Sequence, residues 1–136
     1  MSGEEIARFT AYGSQLLLIH AKLRDQLDDL RDGVVPDVDF ATHCVAFCAA
    51  VTGHHTGEDE TAFPLLAARH PELREFLAEL RRDHEVIAGM LAALPHAANR
   101  PELLDGLAAV LETHFRGEEK RLVDVLNTVT EPLRLE

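Results

Sequence analysis

Apolar residues recur along most of the chain at alternating steps of three and four, the spacing that lines up one face of an α-helix. The first stripe is Ile6, Phe9, Gly13, Leu16, His20, Leu23, Leu27 and Leu30. The second is Phe40, Cys44, Phe47, Val51, His54, Glu58, Thr61 and Leu65. The third runs Leu73, Leu77, Leu80, His84, Ile87, Leu91, Leu94, and the fourth Leu104, Leu107, Leu111, His114, Glu118, Leu122, Val125. Three breaks separate them. DGVVPD at 32–37 is a turn, with Asp37 or Asp39 placed to cap the second helix; HPE at 70–72 puts Pro71 at a first helical position; PHAANRPE at 95–102 is the third. Pro64, in ETAFPLL, predicts a kink and not an end, because the stripe continues through Leu65 and Leu66. The expected fold is all-α, an antiparallel up-down-up-down four-helix bundle forming a single domain over 1–136.

The polar interruptions carry the chemistry. Each stripe is broken near its middle by histidine or glutamate: His20, His54 with Glu58, His84, and His114 with Glu118. HHTGED at 54–59 and HFRGEE at 114–119 both read His-x-x-Gly-Glu plus a second acid, so each histidine and its glutamate share a face one turn apart. Their depths along the bundle place all six in one layer. A lone histidine on an apolar face is usually a hydrogen-bonded core residue, and a neutral His–Glu network is the structural alternative here. Burying two carboxylates without a partner is costly, however, and a metal ion offsets that cost.

Four imidazoles and two carboxylates with no thiolate are too many donors for one tetrahedral zinc. They suit two first-row ions bridged by the carboxylates. Two octahedral ions offer about twelve positions, of which the carboxylates, the imidazoles and a shared oxo or hydroxo oxygen fill about ten. About two stay open for a small molecule. Gly53, Gly57 and Gly117 flank these residues, each costing a helix roughly 0.5–1 kcal/mol relative to alanine. They either admit close helix approach or a channel, or simply face solvent.

Charge narrows the partners. With 24 acids against 13 bases the net charge is −11, which disfavours nucleic acid and anionic membranes. MSGEEIARF resembles no export signal, and no apolar run approaches the ~20 residues of a membrane span, so a cytoplasmic location is expected. Cys44 and Cys48 fall on one helix, where geometry suits a bridge poorly, and are expected as buried thiols. HEVIA at 84–88 lacks the second histidine of HExxH, and Glu-x-x-His does not occur, so the zinc-protease and ferritin-type patterns are absent. His43 lies three turns from His54, His70 and His96 fall in turns, and Tyr12 is off the seam.

The order His…His-x-x-x-Glu…His…His-x-x-x-Glu, from His20 to Glu118, resembles the hemerythrin-like (HHE cation-binding) family. HFRGEE is similar to that family's His-Phe-x-x-Glu-Glu, and EDETAFPLL to its Glu-Asp-x-x-x-Phe-Pro. The resemblance implies a non-heme di-iron centre, two iron ions per chain, with Glu58 and Glu118 as the bridging carboxylates. It departs from the oxygen carriers at one position, where Ala88 stands in place of a second histidine four residues after His84. His55 is the nearest substitute, as an additional ligand or as a neighbour of the site. Asp59, Glu85 and Glu119 either orient ligands or are surface acids. The implied functions are binding of dioxygen, nitric oxide or peroxide; enzymatic disproportionation of peroxide or turnover of nitric oxide; or metal buffering. No catalytic residue beyond the metal ligands is identified.

Overall fold

The computed structural model describes residues 3–32 and 37–129, without the side chains of residues 3–12, 14, 37–39, 124 and 126–129. Ile6, Phe9, Tyr12 and the capping candidates Asp37 and Asp39 therefore have side chains outside the described set. The elements are α1 (Gly3–Arg31), α2 (Asp37–Gly57), a π-helical turn (Glu58–Ala62), α3 (Phe63–Arg69), α4 (Arg74–Ala93) and α5 (Arg100–Val129). Because α2, the π turn and α3 are continuous, these make the four helices of an all-α bundle. No strand occurs among the described residues. Helix α1 packs on α2 and α5, and α4 packs on the same two, so each helix has two neighbours.

The breaks form for local reasons. At the end of α3 the His70 N–H reaches the Leu66 carbonyl at 2.7 Å, and a 3-10 turn over Pro71–Leu73 leads into α4. Helix α5 begins with the Leu103 N–H donating to the Asn99 carbonyl at 3.1 Å, and Pro101 sits in the first turn, where a missing N–H costs nothing.

The core has two apolar clusters with the polar layer between them. One contains Leu23, Leu27, Phe40, Phe47, Val51, Ile87, Leu107 and Leu111, among others. The other contains Leu16, Phe63, Leu66, Leu73, Leu77, Leu80 and Leu122. Every helix crosses from one cluster to the other through a histidine or glutamate. The stripes of α4, of α5 as far as Leu122, and of α1 from Leu16 onward are buried as the periodicity predicts, and Val125 is half-buried.

The second helix departs from its predicted register. After Glu58 the buried positions are Phe63 and Leu66, whereas Thr61 is exposed and Leu65 only half-buried. The cause is the π turn, in which the Phe63 N–H donates to the Glu58 carbonyl five residues back. Pro64 has no N–H to continue the pattern toward Asp59, and Arg81 of α4 supplies that carbonyl with a donor at 3.1 Å. The proline thus shows itself as a widened turn and a one-residue slip of the stripe.

The glycines take the simpler of their two readings. A Cβ added at Gly53 or Gly57 would meet nothing within 4 Å, and one at Gly117 would make ordinary contact with Phe76 at 3.9 Å. The cysteines are free thiols, their sulfurs 3.9 Å apart, and burial together with the neighbouring Cys44 pushes the Cys48 thiol up to about 12. Among the described residues no helix is long and apolar enough to cross a membrane.

Candidate metal centre

The layer between the clusters assembles the six predicted side chains, each from the helix that its stripe assigned. His20 comes from α1, His54 from α2, Glu58 from the π turn, His84 from α4, and His114 and Glu118 from α5. His55 joins them and is buried, 5% exposed, while its neighbour His54 is half-buried. A helix turns about 100° per residue, so α2 can present two consecutive histidines to one layer only from either side of its seam.

The ligand atoms fall into two groups, each within 4.8 Å: His55, Glu58, His84, His114 and Glu118 form one, and His20, His54 and Glu118 the other. Glu118 belongs to both. Its Oε1 lies 2.6 Å from His114 Nε2, and Glu58 Oε1 lies 3.3 Å from His84 Nε2 and 3.6 Å from His54 Nε2. Burial raises the Glu118 carboxyl well above the usual carboxylate range, helped by a hydrogen bond and like charge from Glu58.

Three of the imidazoles are braced from behind. His20 Nδ1 donates to Glu119 Oε2 at 2.8 Å, His84 Nδ1 to Asp59 Oδ1 at 2.9 Å, and His114 Nδ1 to Asp83 Oδ2 at 3.0 Å. A carboxylate only accepts, so each bond puts the ring proton on Nδ1 and leaves the Nε2 lone pair facing the layer. Asp59 and Glu119 thus take the orienting role that the sequence left open. Glu85 is exposed and makes no such bond, and takes the surface reading. Asp83 escaped sequence reasoning, yet a signal existed: like Asp59 and Glu119, it directly follows or precedes a residue of the layer, here His84.

Glu119 is itself gripped. Arg24 donates to it through Nη1 at 2.9 Å and Nη2 at 3.1 Å, and to Glu112 through Nε at 2.8 Å. Burial works to raise the Glu119 carboxyl, but its bonds to Arg24 and His20 outweigh burial and hold it below its ordinary value. Burial also disfavours the charged form of four of the imidazoles. It brings His20 down to about 4 against the opposing pull of Glu119, and His55 down to about 2, and it lowers His54 and His114.

Two features test whether these residues fit a cation. His84 and His114 both carry their proton on Nδ1, so the two Nε2 atoms, 3.1 Å apart, face each other as lone pairs. His55 Nε2 is buried with no hydrogen-bond partner among the described residues. Converging lone pairs and an orphaned nitrogen beside two carboxyls are the arrangement a positive ion relieves. The donor set therefore fits metal. His43 and His96 are exposed, and His70 pairs with Glu72 at 3.3 Å in its turn; none of the three belongs to the layer.

A four-helix bundle with a buried histidine–carboxylate layer between two apolar clusters defines a metal-binding helical protein. A family model, the hemerythrin HHE cation binding domain, matches residues 14–126, and the chain belongs to that family. Searches among curated proteins and among solved structures each returned no match.

Proposed function

We propose that this chain is a non-heme di-iron protein that binds dioxygen or a related small molecule, nitric oxide or peroxide, at a carboxylate-bridged pair of ions. The observation that carries the reading is the inward convergence of imidazoles, braced from behind by carboxylates, on two buried carboxyls. His55, His84 and His114 would hold one ion, His20 and His54 the other, with Glu58 and Glu118 between them. The set contains nitrogen and oxygen donors only, which suits iron better than soft thiolate-seeking metals. Two irons there would supply a redox-active Lewis-acid pair with room for a small ligand.

His55 changes the count made from sequence. With it, the residues present would supply a fuller donor set, of about eleven for the roughly twelve positions of two octahedral ions. His55 on α2 would then supply, from across the bundle, the imidazole that Ala88 on α4 lacks. One open position favours binding over a reaction needing two vacancies, and peroxide or nitric oxide turnover stands as the second reading. The remaining residues keep the layer dry and ordered. Phe115 stacks on His20 at 4.0 Å and Phe63 on His84 at 5.6 Å, so an apolar ring packs against one imidazole at each end of the layer.

The test is the metal-to-protein ratio of the purified chain by elemental analysis, beside a His114→Ala variant. About two irons per chain, lost in the variant together with a lower melting temperature, is the expected result. A single zinc, or no metal after iron-replete expression, overturns it.

A further inference from the structure

Two pairs of histidines meet inside the layer, and they differ in what their protons can do. His84 and His114 approach through Nε2 atoms 3.1 Å apart, and Asp59 and Asp83 hold both of their Nδ1 protons, so as neutral rings neither donates to the other. His20 and His54 approach in the same way, with Nε2 atoms 3.2 Å apart. Glu119 fixes the His20 proton on Nδ1, which leaves His20 Nε2 as an acceptor. His54 is different. No carboxylate bonds to its Nδ1 among the described residues, and Glu58 Oε1 lies 3.6 Å from its Nε2.

A neutral imidazole without a brace carries its proton on the nitrogen that finds an acceptor. For His54 that nitrogen is Nε2, which then donates to His20 Nε2 across rings set at 87°. The His20–His54 end is thus satisfied by a hydrogen bond of its own, whereas the opposite end keeps His55 Nε2 unpartnered among the described residues. The donor sets differ as well. Five residues converge at the His55 end and three at the His20 end, with Glu118 common to both.

We propose that the two ends take up divalent cations in order. The end built from His55, His84 and His114 fills first, and the His20–His54 end is a weaker second position, closed in the metal-free chain by the His54-to-His20 hydrogen bond. An ion enters there only when His54 moves its proton from Nε2 to Nδ1, which frees the lone pair and breaks that bond. His54 is half-buried, so this is also the ring through which the second ion exchanges with solvent. The inference rests on the metal reading above and adds its regulation: at metal concentrations between the two affinities the chain holds one ion, and the paired centre forms only above the second.

The test is a zinc titration of the full chain, stripped of metal by a chelator, followed by NMR of the imidazole ring nitrogens and by calorimetry. In the metal-free chain the His54 proton should sit on Nε2 and the His20 proton on Nδ1. The first equivalent should shift His55, His84 and His114 and leave His20 and His54 as they were. The second, at least about ten-fold weaker, should shift that pair and move the His54 proton to Nδ1. In His54→Ala the weaker step should disappear. A metal-free His54 already protonated on Nδ1, a first equivalent that shifts His20 and His54, a single step for both ions, or no zinc uptake would overturn the proposal, as would loss of the tighter step in His54→Ala. Should that variant fail to fold, the native chain decides alone. The iron content of the purified chain tests the di-iron reading separately: its absence removes that reading, while the His54 proton and the order of zinc binding still decide this one.

Discussion

The two ends of the polar layer use the same imidazoles but are supported differently. At the His20 end the ring is fully buried and stacked on Phe115, its carboxylate brace Glu119 is gripped by Arg24, and the Arg24 guanidinium also lies over Phe115 at 5.4 Å. At the other end the braces Asp59 and Asp83 are 30% and 48% exposed, Arg81 reaches Asp59 only at 3.7 Å, and a cleft opens beside His55. The lesson is that residue type alone leaves the two ends alike; the groups behind each histidine bury one end in an arginine-held network and leave the braces of the other partly in water.

Glu118 is the residue both ends share, so changing it should have the largest effect. Glu118→Gln is expected to abolish metal binding at both ends and yet raise the melting temperature of the metal-free chain at neutral pH, because the native chain no longer has to take up a proton at that buried carboxyl. Elemental analysis with calorimetry checks both halves; retained metal would show that Glu118 is no ligand.

Arg24→Met should weaken metal binding by about 10–100-fold at the His20 end only, leaving roughly one ion per chain under limiting metal. Asp83→Asn should do less at the opposite end, since that brace is half in water already. Equal losses from the two variants would erase the contrast between the ends.

A sharper test moves one imidazole between helices. His55→Ala should lower the metal content toward one ion per chain, and adding Ala88→His should restore it from α4. Failure of the double variant to recover metal, with the fold intact by circular dichroism, would mean that the two positions do not serve one ion.

The smallest effect is in pH. His20 and His55 sit below their unfolded value of 6.5, so as pH falls through and below that value the unfolded chain gains protons that the native chain refuses, and stability drops. Glu118 sits above its unfolded value of 4.5, so as pH rises past it the native chain retains a proton the unfolded one releases, and stability drops in the other direction. A metal ion bound there would replace that proton. The gap in melting temperature between metal-loaded and metal-free protein should therefore widen from about pH 5 to about pH 8. A gap independent of pH would show that no proton is exchanged for metal at Glu118.

Much of this architecture is legible in the chain itself. Steps of three and four assign side chains to helix faces, because helical geometry is local, and they place four helices and the six polar residues of the layer without any tertiary information. Glu119 and Asp59 are in view as neighbours of those residues. Three things were decided only by the tertiary structure. The slip after Glu58 needed the π turn, in which Pro64 cannot donate and Arg81 of another helix serves the Asp59 carbonyl. Asp83 reaches His114 across two helices, so its role depends on how α4 and α5 pack. His55 enters the layer by lying flat on His84 of another helix, a contact that depends on how α2 and α4 pack. Periodicity along one helix fixes which face a residue occupies, whereas the distance across to the next helix is set by packing, and that distance decides which side chains meet.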